Sequence, residues 1–192
     1  MKRFLQIPIY IAFISLFSSC GYNSMVQKQE SVDAAWSQVD NQFQRRNDLI
    51  GNLVETVKGY VKYEQATLVQ VVEARAKATQ VTVQADQLTQ ENIKKYQDAQ
   101  GQLGMALSKL MSITENYPDL KGNEAFADLR VEMAGTENRI AVARRDFNDA
   151  VRDYNTYIRS FPNNLTSGMF GFDKKGYFQA DAGSEKAPVV KF

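Results

Sequence analysis

From Val32 onward, alternating steps of four and three residues land on Val32, Trp36, Val39, Phe43, Arg46, Ile50, Leu53, Val57 and Tyr60. All but Arg46 are apolar, and the residues between them are mostly polar. An apolar stripe with this spacing is the seam of a helix packed against others. A helix over about residues 24–60 would be roughly 55 Å long at 1.5 Å per residue. Beyond Tyr60 the steps fall on Glu64 and Thr67, and a second apolar set, Leu68, Val72 and Ala76, takes over. Gly59 lies at the changeover, so the pattern predicts a break near 59–63 and a shorter helix near 64–80.

The same alternation returns in Ile93, Tyr96, Gln100, Leu103, Leu107, Leu110, Thr114 and Tyr117, predicting a helix near 88–116. The longest stripe is the last: Phe126, Leu129, Met133, Thr136, Ile140, Ala143, Phe147, Ala150, Tyr154, Tyr157 and Phe161. Its helix is expected to start near Pro118-Asp119 and to stop by Pro162, because proline lacks the N–H that a helix interior needs. No stretch alternates with the period of a strand. Short connections make successive helices antiparallel neighbours. The expected fold is therefore all-α, an antiparallel four-helix up-and-down bundle with long helices. Trp36, Phe43, Leu53, Phe126, Met133, Ile140 and Phe147 are expected in one contiguous core.

A different segment precedes this bundle. Met1-Lys2-Arg3 forms a basic head, "FLQIPIYIAFISLF" is nearly uncharged, and Ser18-Ser19 lead into Cys20, the chain's single cysteine. Basic head, apolar middle and small-residue exit is the layout of a bacterial export signal. The apolar run is about 14 residues, short of the roughly 20 that span a bilayer. A small residue followed by Cys at the end of such a run resembles the lipobox of bacterial lipoproteins, which implies cleavage before Cys20 and acylation of its thiol. Phe17 departs from that pattern, since an aliphatic residue is usual there. An uncleaved single-span anchor and a reactive or metal-binding thiol stay open as alternatives. A lone cysteine cannot form an internal disulfide.

Charge narrows the partners. The chain of 192 residues has a formal charge of +1, and loss of Lys2 and Arg3 with a signal would make it −1. That balance argues against nucleic acid, which demands a basic footprint. Candidate chemistry is sparse. There is no histidine, hence no imidazole base or ligand. No zinc-protease, P-loop or nucleophile-elbow motif occurs, and no metal site is expected. Asp40, Asp48, Glu55 and Glu64 are spread along a helix as a solvated face, and Glu91 and Lys95 have the spacing of a surface ion pair. Catalytic residues and cofactors are accordingly expected to be none.

Arg46 is the polar residue that breaks the first seam. A guanidinium facing a bundle requires a carboxylate or several carbonyls, because an unpaired buried charge is costly. Glu137 on the last helix is the first candidate partner, ahead of Glu132 and Asp146. A structural ion pair, an arginine with a buried stem and a hydrated head, and a polar site for an anion are the three readings.

The segment "VDAAWSQVDNQFQRRNDLIGNLVETVKGY", followed by "EQATLVQVVEARA", resembles the first half of the LemA family. "TENRIAVARRDFNDAVRDYNTYIRSFP" and the "FGF…YF" tail resemble its second half, and "GYNSMV" looks like its entry segment. The resemblance covers nearly all of residues 21–178 in order. It implies an antiparallel four-helix fold, membrane attachment at the N-terminus and no established catalytic activity. Two departures stand out: the family commonly has Pro where this chain has Gly51, and many members carry a true membrane span where this chain has a lipoprotein-like signal.

After the last helix, "NNLTSGMFGFDKKGYFQAD" carries Phe170, Phe172, Tyr177 and Phe178 among glycines and charges. Such a density of aromatics does not fit a free linker. They either cover the bundle or dock a partner protein. The expected organisation is a signal or anchor over 1–19, a bundle over 20–162, an aromatic tail over 163–180 and a disordered terminus over 181–192. The functional expectation is a non-catalytic scaffold or adaptor, tethered to the membrane of a bacterial envelope and facing the periplasm, with an envelope protein as partner. The alternative is a module that holds a small anionic or lipid ligand between helices near Arg46.

Overall fold

The computed structural model describes residues 2–60 and 64–180, with residues 2–20 in backbone only. The thiol of Cys20 and the expected disordered terminus over 181–192 lie outside the described residues. Five helices account for most of the chain: α1 (Lys2–Lys58), α2 (Gln65–Gln80), α3 (Gln90–Thr114), α4 (Pro118–Lys121) and α5 (Glu124–Arg159). Single 3₁₀ turns occupy Ala85–Gln87, Asn163–Leu165 and Gly168–Phe170. The described chain is all helical in its regular structure, without a strand.

Local chemistry sets the ends. The Thr89 hydroxyl accepts from the N–H of Asn92, and the Asn123 side chain accepts from the N–H of Phe126. Each cap satisfies a donor that the first helical turn leaves orphaned. Pro118 opens the one-turn α4, where its missing N–H costs nothing. The long helix expected to start at Pro118 is thus two helices, because the Asn123 cap restarts the chain after Gly122.

The first seam is buried from Val32 through Val57, and the α3 stripe is buried from Ile93 through Thr114. Two stripes depart from expectation. On α2 the buried residues are Thr67, Leu68, Val71 and Ala78, whereas Val72 and Ala76 face solvent. On α5 the stripe passes from Phe147 to Val151, Tyr154 and Ile158, leaving Ala150 and Tyr157 half-buried and Phe161 80% exposed. On α5 the reason is geometric: a helix turns every 3.6 residues, so a strict 3.5-residue stripe drifts about 20° per heptad and must slip by one position over several heptads.

Contacts between helices have a consistent sense. Against α1, residue numbers on α5 fall as those on α1 rise: Lys28 lies on Tyr157, Trp36 on Phe147 and Arg46 on Glu137. Between α2 and α3, Lys109 reaches Gln70 and Gln100 reaches Ala78. The core forms two clusters rather than the expected one. The first gathers Trp36, Phe43, Tyr96, Ile140 and Phe147 with Phe172 and Phe178 of the tail. The second gathers Leu53, Leu103, Leu107, Phe126 and Met133 with Leu68 and Val71 of α2. A layer of buried polar residues, Arg46, Gln100 and Thr136, lies between them.

The two clusters differ in their fourth wall. At 16 residues α2 is about 24 Å long, too short to run beside all of α1. It covers the second cluster only. Beside the first, the linker after α2 and the C-terminal tail take its place: the Trp36 Nε1–H donates to the carbonyl of Val83 at 2.9 Å, and Phe178 stacks on Trp36 at 6.0 Å.

Candidate functional site

The polar layer and the tail that borders it form the candidate site. Arg46 projects from α1 toward α3 and α5 and is 4% exposed. Its Nη2 donates to the Gln100 carbonyl at 3.1 Å and to Gln100 Oε1 at 2.6 Å. Its Nη1 lies 3.1 Å from Glu137 Oε1. The guanidinium also rests over the Phe43 ring, 4.9 Å from its centroid. The structure therefore brings Arg46 and Glu137 together, but asymmetrically: the Glu137 side chain is 48% exposed. Glu132 pairs with Arg45 on the surface, and Asp146 pairs with its neighbour Arg145.

Around this point the electrostatics are those of a desolvated interior. Tyr96 donates to Asp40 Oδ1 at 3.0 Å, and burial foremost, then the Asp40 carboxylate, pushes its pKa far above the usual phenol range. Asp33, near the tail, is also shifted upward by burial, against the opposing pull of the Lys175 ammonium. Glu91 and Lys95 meet at 2.7 Å on the surface, and the Lys95 hydrogen bond holds the Glu91 carboxyl low.

Between α3 and α5 runs an open groove of about 770 Å³, walled by Phe43, Arg46, Gln100, Glu137, Ile140 and Arg144 among others. Phe178 closes one end of it. The tail reaches that point as a segment without regular secondary structure, fixed by side-chain amides. Asn155 Nδ2 donates to the Lys175 carbonyl while Lys175 N–H donates to Asn155 Oδ1, both at 2.9 Å. Gln90 binds Tyr177 in the same two-way fashion, Asn148 binds Phe178, and Gln97 binds Gln179. Each amide offers a donor and an acceptor side by side, which matches the N–H and C=O of one extended residue. Phe172 and Phe178 are buried, Tyr177 is half-buried and Phe170 is exposed, its ring edge-on to Tyr22.

Gly176 shows why the tail sits so close. A Cβ there would stand 2.6 Å from the Gln90 Cα, and the Gly176 N–H donates to the Leu88 carbonyl at 2.8 Å. Only glycine allows that approach.

A model of the LemA family matches residues 35–192. The chain belongs to the LemA family. It is 27% identical over 186 residues to magnetosome protein MamQ 2 of Paramagnetospirillum magneticum, covering 88% of this chain and 68% of that one. Magnetosome protein MamQ of Magnetospirillum gryphiswaldense is 26% identical with the same coverage. Protein LemA of Metamycoplasma hominis is 23% identical over 184 residues, covering 94% of this chain and 80% of the other. The family match takes in the tail with its clamps and continues to Phe192.

Sequence reasoning singled out Arg46, Glu137 and the tail aromatics of this LemA chain but missed Gln90, Gln97, Asn148 and Asn155. Asn148 and Asn155, two of the three asparagines inside α5, were the available signal, because Asn competes with helical backbone bonds and is disfavoured there without a partner. Among the described residues no group of histidine, cysteine or carboxylate side chains could hold a metal ion.

Proposed function

We propose that this LemA-family protein is a membrane-tethered, non-catalytic scaffold of the bacterial envelope, an antiparallel four-helix bundle that holds partner proteins. The observation that carries the reading is the use the chain makes of its buried polar groups. Arg46 and Gln100 bind each other across α1 and α3, and Asn155 binds the chain's own tail. They fix helix register and tail position, a structural task. The opposed numbering of the α1–α5 and α2–α3 contacts supports the up-and-down arrangement. The tether rests on the signal-like segment before Cys20.

Two measurements test this. In the native host, mass spectrometry of the mature chain should find Cys20 acylated at the new N-terminus, and Cys20→Ala should be left unprocessed or released from membranes. Two acyl chains suffice for stable anchoring at about 0.8 kcal/mol per buried CH₂. An unmodified thiol on the mature chain ends the lipoprotein claim. For the scaffold, photo-crosslinkers at the exposed Val69 and Val131 should each capture an envelope protein reproducibly. Lipid or small-molecule adducts alone would overturn it.

The groove bordered by Arg46 favours a second reading, in which a small anionic or lipid ligand lies between α3 and α5. A molecule that copurifies and is lost in Arg46→Met would establish it.

A further inference from the structure

We propose that the end of the bundle at Gly21 and Tyr22 makes a second membrane contact: an apolar cap, formed by Tyr22 and the turn from Phe161 to Phe170, seats in the surface of the bilayer to which the chain is tethered. The sequence marks the turn. From Ser160 to Phe172, "SFPNNLTSGMFGF" carries no charge, and neither does "GYNSMVQ" from Gly21 to Gln27. The fold joins the two. Because α5 runs opposite to α1, the chain leaving Arg159 arrives where α1 enters the bundle, just past the contact of Lys28 with the Tyr157 ring. Asn163 packs on Gly21, its Oδ1 2.9 Å from where a Cβ there would stand. The Tyr22 ring lies edge-on to Phe170 at 5.3 Å and to Phe172 at 5.6 Å.

This end leaves uncovered what the rest of the surface does not. Among the described residues eleven large apolar side chains are exposed, and five of them, Tyr22, Phe161, Leu165, Met169 and Phe170, belong to the cap. Phe161 and Met169 are 80% and 82% exposed. The other six are spread over the rest of the molecule, as exposed apolar residues ordinarily are. Aromatic and flexible apolar side chains on an uncharged turn are suited to the boundary between headgroups and acyl chains. The first charges around the cap are Lys28, Arg159 and the neighbours Asp173 and Lys174, a rim of net positive charge that suits anionic headgroups.

Position decides the occupant. Cys20 precedes Tyr22 on α1 by about 3 Å along the helix axis. An acyl chain on Cys20, or an uncleaved anchor ending there, brings the bilayer to Tyr22 and so to the turn that touches it. The tether also makes the contact intramolecular, so side chains that would hold a free protein only weakly are enough. The cap rests on the tether proposed above and adds which end and which residues of the bundle meet the lipid.

Quenching of tryptophan by brominated lipid tests it. Met169→Trp places a reporter in the cap, Leu165→Trp is a second placement should the first disturb the fold, and Met105→Trp is the reference. Met105 is exposed on α3 beyond the contact of Arg46 with Gln100, which lies roughly 36 Å along α1 from Tyr22 at 1.5 Å per residue. Each full chain, purified from host membranes, is reconstituted in vesicles of phosphatidylethanolamine and phosphatidylglycerol with or without bromine on the acyl chains. In brominated vesicles the added emission at position 169 or 165 should fall about twofold or more, while that at 105 and that of Trp36 in the unchanged chain should hold. Chains that float with the vesicles yet show no quenching at either cap position overturn the cap and leave the tether standing. Protection of position 169 from both brominated lipid and aqueous acrylamide means that protein covers the cap, and equal quenching at 105 means that the bundle lies on its side. Either result overturns the proposal. Chains that do not float with the vesicles end the tether, and the cap with it.

Discussion

Asn155 on α5 holds Lys175 of the tail from both sides, its Nδ2 donating to the carbonyl and its Oδ1 accepting from the N–H, each at 2.9 Å. The contact is buried and is the first of the four amide clamps on the tail. Asn155→Leu removes both bonds and strands a backbone donor and acceptor, so it should destabilise by about 2–4 kcal/mol. Gly176→Ala should release the same tail by collision with the Gln90 backbone. Limited proteolysis after Pro162 should become several-fold faster in both variants, with α-helical circular dichroism retained at low temperature. Unchanged proteolysis would mean that the clamps do not hold the tail.

The polar layer makes a quantitative prediction. Arg46 is buried while Glu137 is half exposed, so the two ends of the pair are not equivalent. Arg46→Met should cost about 2–3 kcal/mol, because it strands the acceptors of Gln100 and leaves Glu137 unmatched. Glu137→Gln should cost only about 1 kcal/mol, since solvent screens the carboxylate and Gln100 still binds the guanidinium. A double-mutant cycle by urea denaturation should give a coupling near 1 kcal/mol. Additive costs would show that the ion pair does not contribute.

Phe147 sits at the centre of the first cluster, its ring 5.5 Å from both Trp36 and Phe178. Phe147→Ala should lower stability by about 3–5 kcal/mol through lost burial and an unfilled cavity. Trp36 is the chain's single tryptophan, so its fluorescence reports the site. A loss under about 1 kcal/mol would contradict the packing.

Tyr154 predicts a response to alkali. Its hydroxyl donates to the Asp173 carbonyl at 3.1 Å, and burial, aided by the Asp173 and Asp33 charges, pushes its pKa up to about 12. A phenol whose folded pKa exceeds its unfolded value stabilises fully below the unfolded value. That contribution disappears as pH rises through the folded one. Stability from this group should therefore fall between pH 10 and about 12. Tyr154→Phe should cost about 1 kcal/mol at pH 8 and show a shallower decline above pH 10 in urea midpoints. Parallel curves would refute the assignment.

The sequence by itself determined the class and most of the helix phase. Apolar residues at helical spacing must be buried, so the seam from Val32 to Val57 and the α3 stripe were legible without coordinates. Arg46 was legible as an anomaly for the same reason, and Glu137 on the last helix was named as its first candidate partner. Tertiary structure decided what depends on distance between segments far apart in the chain. Where the α5 stripe slips at Val151 depends on what α1 and the tail present there. That α2 covers one cluster and the tail the other follows from helix length and chain path, which local patterning does not encode. The amide clamps lay furthest from view. Gln90, Gln97, Asn148 and Asn155 bind backbone, and backbone is the same at every residue. Nothing in the sequence of the tail therefore marks its partners, and only the fold places each amide opposite its peptide group.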